Sequence, residues 1–99
     1  MPNDRRSAER KTVNLSVRWY GLTGTYEARL EDISMAGCFV NTTGRVDLND
    51  RLSLEVELPS GAWLELRGQV ASYQPGIGFG MQFLALTEEE EEALKALLT

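Results

Sequence analysis

The chain has 99 residues with 10 Lys+Arg and 15 Asp+Glu, so its formal net charge is −5. This length fits one small domain, and a hydrophobic content of 42% is too high for a chain that is disordered throughout. Histidine is absent and cysteine occurs once, which excludes the usual zinc, iron–sulfur and haem ligand sets, His-based catalysis and a disulfide framework. No apolar run approaches the roughly 20 residues of a membrane span, and the N-terminus is polar, so we expect a cytoplasmic protein without membrane contact.

The basic residues are concentrated at the start of the sequence. Residues 1–18 contain five basic and two acidic residues, a net charge of +3, whereas residues 19–99 have a net charge of −8. A basic segment on an acidic protein indicates a local anion site, and it argues against a general nucleic-acid surface, which needs a broad basic face. A charged solubilising tail is the alternative interpretation of the same segment.

The distribution of polar and apolar residues along the sequence predicts an arm followed by a β domain. Residues 1–12 are polar without apolar periodicity, which predicts a flexible basic arm, and residues 13–99 form the domain. Alternation of apolar and polar residues predicts strands over 13–20, 26–32, 38–40, 52–58, 62–70 and 77–83. In the last of these, glycines occupy the face opposite the apolar residues, and barrel curvature is the interpretation that we favour over close approach by a ligand.

A helix is expected at the C-terminal end, over residues 87–98. Thr87 is a good N-cap, and Glu90 stands three positions later, as in a capping box. Six short strands with glycine interruptions, followed by one helix, predict an all-β fold, closed as a six-stranded antiparallel β-barrel.

Three arginines in the arm are candidates for binding an anion. Arg6 and Arg10 are four positions apart, and Arg5 directly precedes Arg6. The guanidinium group is always charged and presents a planar fork of donors, which suits a phosphate or the O6/N7 edge of guanine.

A second candidate segment, Asp32 to Gly37, reads DISMAG and follows a predicted strand. The carboxylate of Asp32 can accept hydrogen bonds from the N1–H and amino groups of guanine. The Ser34 hydroxyl can donate to a phosphate or hold a turn, and Gly37 permits close backbone approach. A strand-ending turn that needs the same residues for local reasons is the alternative.

Taken in order, these segments resemble the PilZ domain family. The family pattern is Arg-x-x-x-Arg followed by (Asp or Asn)-x-Ser-x-x-Gly, and both parts stand intact at Arg6 to Arg10 and at Asp32 to Gly37. The run Gly68-Gln69-Val70 and the glycine-rich stretch from Gly76 to Phe83 are similar to later motifs of the family. The resemblance therefore covers nearly the whole chain.

The resemblance implies a split-barrel type of β-barrel that is a receptor for cyclic di-GMP and not an enzyme. Arg6 and Arg10 would bind the phosphates and guanine edges of the ligand, Asp32 and Ser34 would make polar contacts, and Gly37 would allow its approach. Arg5 stands where family members that bind an intercalated ligand dimer carry an arginine, which favours two ligands per protomer.

One position departs from the family pattern. Two residues after Gly-x-Val, family members often carry an arginine or aromatic residue that stacks on guanine, and this chain has Ser72 there, followed by Tyr73. Either Tyr73 substitutes or stacking is missing, and a base stack contributes on the order of 1–3 kcal/mol.

The leading hypothesis is a cyclic di-GMP receptor that orders its arginine arm over the ligand and signals to an unidentified effector protein, as a monomer or a ligand-dependent dimer. The alternative is a ligand-independent PilZ-like protein–protein adaptor. A small oligonucleotide-binding barrel is a third hypothesis, and the acidic body and few aromatics argue against it. We expect no metal and no nucleic-acid polymer as partner.

Overall fold

Six antiparallel strands and one helix make up the regular structure in the computed structural model, which describes residues 10–21 and 24–99. The predicted strands and the predicted helix are all present. Their bounds in chain order are β1 Lys11–Gly21, β2 Gly24–Ile33, β3 Gly37–Asn41, β4 Arg51–Glu57, β5 Trp63–Gln74, β6 Gly78–Phe83 and α1 Glu88–Leu98.

The strands close into a barrel in the order β1-β2-β3-β6-β5-β4, with β4 pairing back onto β1. Every neighbouring pair is antiparallel. The predicted fold class, a closed six-stranded antiparallel barrel with a C-terminal helix, is confirmed.

Trp19 belongs to the barrel core and is fully buried. Its ring stacks on Tyr26 at a centroid distance of 4.5 Å and meets Phe79 edge-on at 5.1 Å. The indole N–H donates to Thr42 Oγ1 at 3.2 Å, which satisfies the polar atom of a buried aromatic residue. Trp19 is therefore a packing residue.

The first strand starts earlier than the apolar alternation indicates. Lys11 pairs with Ile33 and Thr12 with Asp32, and the register then shifts between Thr12 and Leu15. A β-bulge adds an unpaired residue and changes which side chains face the core. The predicted strand therefore starts at residue 13, inside the bulge, whereas the backbone is paired from Lys11 onward.

The helix is capped and anchored as its sequence indicates. The Thr87 side chain accepts from the Glu90 N–H at 3.1 Å, and the Glu90 carboxylate accepts from the Thr87 N–H at 3.0 Å, which confirms the capping box. The same carboxylate pairs with Arg67 of β5 at 3.0 Å, and Leu94 is fully buried against the barrel. The glutamates of the first turn also stabilise the helix, because their negative charges lie at the positive end of the helix dipole.

Close backbone approach between β3 and β6 explains two of the glycines. A Cβ atom at position 37 would lie 2.2 Å from the Met81 carbonyl oxygen, and one at position 78 would lie 2.0 Å from the Val40 carbonyl oxygen. At Gly80 a Cβ atom would meet the Ser72 hydroxyl at 2.6 Å, which is a group that can rotate away. The glycine face of β6 is thus covered by neighbouring strand atoms.

Substitution of Gly37 by Ala should lower the free energy of unfolding by about 1–3 kcal/mol, since the new methyl group is forced against a main-chain carbonyl. Gly80→Ala is the matched control, because its methyl group meets only a rotatable hydroxyl, and it should cost clearly less. Urea unfolding followed by circular dichroism measures both. Equal losses for the two variants would contradict a steric role for the close contact between β3 and β6 at Gly37.

Candidate functional site

Five residues lie side by side across the barrel surface, one from each of five strands. Thr12 pairs with Asp32, Asp32 with Phe39, Phe39 with Gly80, and Gly80 with Ser72. We call this set the cross-strand row. It crosses β1, β2, β3, β6 and β5, and it leaves out β4.

Three register shifts adjoin the cross-strand row. One lies in β1 between Thr12 and Leu15, one in β2 just before Asp32, and one in β5 just before Ser72. Bulges re-aim side chains and are frequent beside binding sites. Here they bring the side chains of Asp32 and Ser72 into one surface row although the two strands are not neighbours.

Arg10 and Asp32 connect the two predicted motifs. The Arg10 Nη1 group donates to Asp32 Oδ1, 22 positions along the chain. The side chains are 54% and 26% exposed, and an exposed ion pair contributes only about 0–1 kcal/mol. Arg10 can therefore exchange this partner for a ligand group at little cost. Arg5 and Arg6 lie outside the described residues.

Ser34 holds the turn between β2 and β3. Its hydroxyl oxygen accepts from the N–H groups of Ala36 at 3.0 Å and Gly37 at 3.1 Å, and the Ser34 N–H donates to the Gly37 carbonyl at 2.8 Å. The residue is only 2% exposed. These contacts are those of a strand-ending turn, the alternative interpretation of the segment from Asp32 to Gly37. Direct ligand contact by Ser34 or Gly37 stays a prediction.

Two shallow grooves flank the cross-strand row. The first, of about 250 Å³, lies between the Ser34 turn and the β5–β6 surface, and Arg10, Gly37 and Ser72 are among its lining residues. The second, of about 300 Å³, is lined by Glu31, Asp32, Phe39, Gln74 and Ile77. The ion pair of Arg10 and Asp32 thus joins the two grooves.

Tyr73 lines neither of these two grooves. It pairs with the buried Phe79 and packs, half-buried, against the barrel core, whereas Ser72 faces the first groove. The bulge before Ser72 sets this orientation. The guanine-stacking role expected for Tyr73 would need a different position for its ring.

Phe39 is the residue at this site that sequence reasoning missed. It stands in the row between Asp32 and Gly80 and is half-buried, and its ring approaches the glycines of β6. The sequence did hold a signal for it. Cys38 and Val40 are the core-facing residues of a short strand, so the residue between them points outward.

Cys38 lies beneath the cross-strand row and is fully buried. Burial, reinforced by the negative charge of Asp32 and opposed by Arg10, raises the pKa of the thiol from 9.0 to about 12. The thiol is therefore neutral at physiological pH and packs as a small apolar group.

Within residues 10–21 and 24–99, no group of three or more His, Cys, Asp or Glu side chains is arranged to hold a metal ion. The helix in this part of the chain is too short and too polar to cross a membrane.

The fold and the row define a class: a closed six-stranded barrel with a polar site on its outer surface. The PilZ domain family model matches residues 4–99, so the chain belongs to the PilZ domain family, as its motifs indicated. No curated protein matched this sequence.

Solved structures share the fold at low sequence identity. The PilZ domain of YcgR from Escherichia coli, solved with c-di-GMP, superposes with a TM-score of 0.80 at 17% identity, covering 95% of this chain and 89% of that one. The PilZ domain of CeSA from a cellulose-synthesizing bacterium gives 0.69 at 17% identity over 92% and 96%. The Bacillus subtilis inhibitor of motility MotI/DgrA gives 0.79 at 17% identity and covers 95% of this chain, which spans 49% of that protein.

Proposed function

We propose that the protein is a receptor domain for cyclic di-GMP, with the ligand bound over the cross-strand row. The observation that carries the proposal is the pairing of Arg10 with Asp32, because it joins the two family motifs at one point of the surface. Membership of the PilZ family supports it. So does the similarity to the YcgR domain solved with c-di-GMP.

The chemistry of the row suits a guanine dinucleotide. Arg10 offers charged donors for a phosphate oxygen or a guanine edge, and Asp32 offers a carboxylate for the guanine N1–H and amino donors. In the proposed complex Arg10 turns from Asp32 to the ligand, which leaves both carboxylate oxygens of Asp32 free for guanine. Arg5 and Arg6 add charge from the arm, which closes over the ligand.

Phe39 takes the stacking role in this proposal. Its half-buried ring lies next to Asp32, so a base that binds the carboxylate lies within reach of the ring. Every base has a π-face, and stacking on an aromatic side chain contributes about 1–3 kcal/mol.

A ligand-independent adaptor is the second candidate function. The observation that favours it is Ser72, a small polar residue in the row at the position where family members often carry a stacking group. A silent titration with cyclic di-GMP, together with a binding partner that needs no ligand, would select this function over the receptor.

Arg10→Ala should weaken cyclic di-GMP binding by about 1.5–3 kcal/mol, or roughly 10- to 150-fold, because a charged hydrogen bond is lost. Isothermal titration calorimetry measures the affinity. Arg45→Ala, which removes an exposed arginine of the loop between β3 and β4, is the matched control and should leave the affinity unchanged. Absence of heat from the unmodified protein at tens of micromolar ligand would refute the receptor.

Phe39→Ala should reduce the affinity by about 1–3 kcal/mol, the contribution of a lost base stack. Phe39→Trp keeps an aromatic face and should retain most of the affinity. Thermal unfolding of each variant checks that the barrel is intact. If the Ala variant binds as tightly as the unmodified protein, the ligand stacks elsewhere or not at all.

Arg5→Ala should change the stoichiometry of binding from two ligands per protomer to one, since Arg5 provides the charge for a second, intercalated molecule. The same calorimetric titration reports the number of sites. A stoichiometry of one in the unmodified protein, or of two in the variant, would exclude this role for Arg5.

A further inference from the structure

A second surface feature lies on the barrel wall that includes β4. Tyr20 and Trp63 are 40% and 41% exposed there, and both extend from regular strands. Together with Arg18 and Glu55 they form a connected set that we call the aromatic patch. The cross-strand row does not include β4, so the two features occupy different parts of the barrel surface.

The side chains of the aromatic patch hold one another in place. The Arg18 guanidinium lies 4.4 Å from the Trp63 ring centroid, in cation–π geometry, and 3.7 Å from a Glu55 carboxylate oxygen. The Tyr20 hydroxyl donates to the same oxygen at 2.8 Å. Side chains that are ordered before binding lose little conformational entropy in a complex.

The residue types of the patch are those that concentrate binding energy. Tryptophan, tyrosine and arginine are enriched among the residues that dominate protein–protein affinity. Arg18 covers one side of the Trp63 ring, while the exposed part of the ring remains in contact with water. A planar or apolar group of another protein can pack there.

Carboxylates surround the patch. Across the strand pairs, Glu27 is opposite Arg18, Glu57 is opposite Trp63, and Glu65 is directly opposite Glu55. Like charges that face each other across a strand pair destabilise a sheet. Within the described part of the chain, neither Glu57 nor Glu65 forms an ion pair. A cation from outside would relieve this repulsion.

We propose that the aromatic patch is a docking surface for a basic segment of a partner protein, in which arginine or lysine alternates with apolar side chains. An arginine of the partner packs against the exposed part of Trp63 and pairs with Glu57 and Glu65, while an apolar neighbour covers Tyr20. The proposal rests on the contacts of the patch and does not require that the cross-strand row bind a nucleotide.

Nuclear magnetic resonance of the full chain tests the docking surface through the indole N–H signals of Trp19 and Trp63. The probe is a short peptide of alternating arginine and leucine, compared with an arginine–glycine peptide and a glutamate–leucine peptide of equal length. The Trp63 signal should shift and saturate with the first probe, while the signal of buried Trp19 stays in place. The arginine–glycine peptide should bind at least about tenfold more weakly than the arginine–leucine peptide. The glutamate–leucine peptide should not bind.

Two double variants, each of which removes two negative charges, distinguish docking at the aromatic patch from general attraction of the probe to an acidic protein. Glu57→Gln with Glu65→Gln should weaken probe binding at least about tenfold. Glu88→Gln with Glu91→Gln, which removes the same charge from α1, should leave it unchanged. Trp63→Ala lacks the reporting indole, so its binding is measured by calorimetric titration with the arginine–leucine peptide, which should show no binding. Its calorimetric titration with cyclic di-GMP should be unaltered.

Three results would overturn the proposal. If both double variants weakened peptide binding equally, the peptide would be held by diffuse attraction to the acidic protein and not by the aromatic patch. Equal binding of the glutamate–leucine peptide would remove the role of charge. A Trp63 shift that depends on protein concentration in the absence of peptide would mean that a second copy of this chain occupies the patch.

Discussion

The close approach of β3 to β6 at Gly37 is the contact on which the rest of the site depends. Only a residue without a side chain admits the Met81 carbonyl at this distance, and the pairing of β3 with β6 then sets Phe39 beside Gly80. The buried Ser34 hydroxyl fixes the turn that leads into this strand. The family motif from Asp32 to Gly37 therefore has a structural function, since it brings the Asp32 carboxylate into the cross-strand row and permits the pairing of β3 with β6.

The barrel separates two surfaces of different chemistry. One is the cross-strand row, where Arg10 reaches a carboxylate that is far away in sequence and the bulges direct polar side chains outward. The other is the aromatic patch, which depends on β4 and carries an excess of carboxylates. Under the two proposals, the domain binds an anionic nucleotide on one side and a basic protein segment on the other, and the separation of the two surfaces avoids competition between the ligands.

The sequence was sufficient for the strands, the capped helix and the family, because alternation, the Thr87–Glu90 spacing and an ordered set of motifs are local signals. The sequence was insufficient to predict contacts between residues that lie far apart along the chain. The bulge before Ser72 turned Tyr73 toward the core, the space around Gly37 is filled by β6, and the contact of Arg18 with Trp63 joins strands far apart in sequence. None of these follows from spacing along one segment.

Mapping of amide chemical shifts during titration with cyclic di-GMP would locate the ligand on the barrel surface without any substitution, and so decide whether it binds over the cross-strand row. We expect saturable shifts that are largest at Thr12, Asp32, Phe39, Ser72 and Gly80, with the Trp63 indole signal unmoved. Shifts concentrated on β4, or no shifts at millimolar ligand, would contradict binding over the cross-strand row.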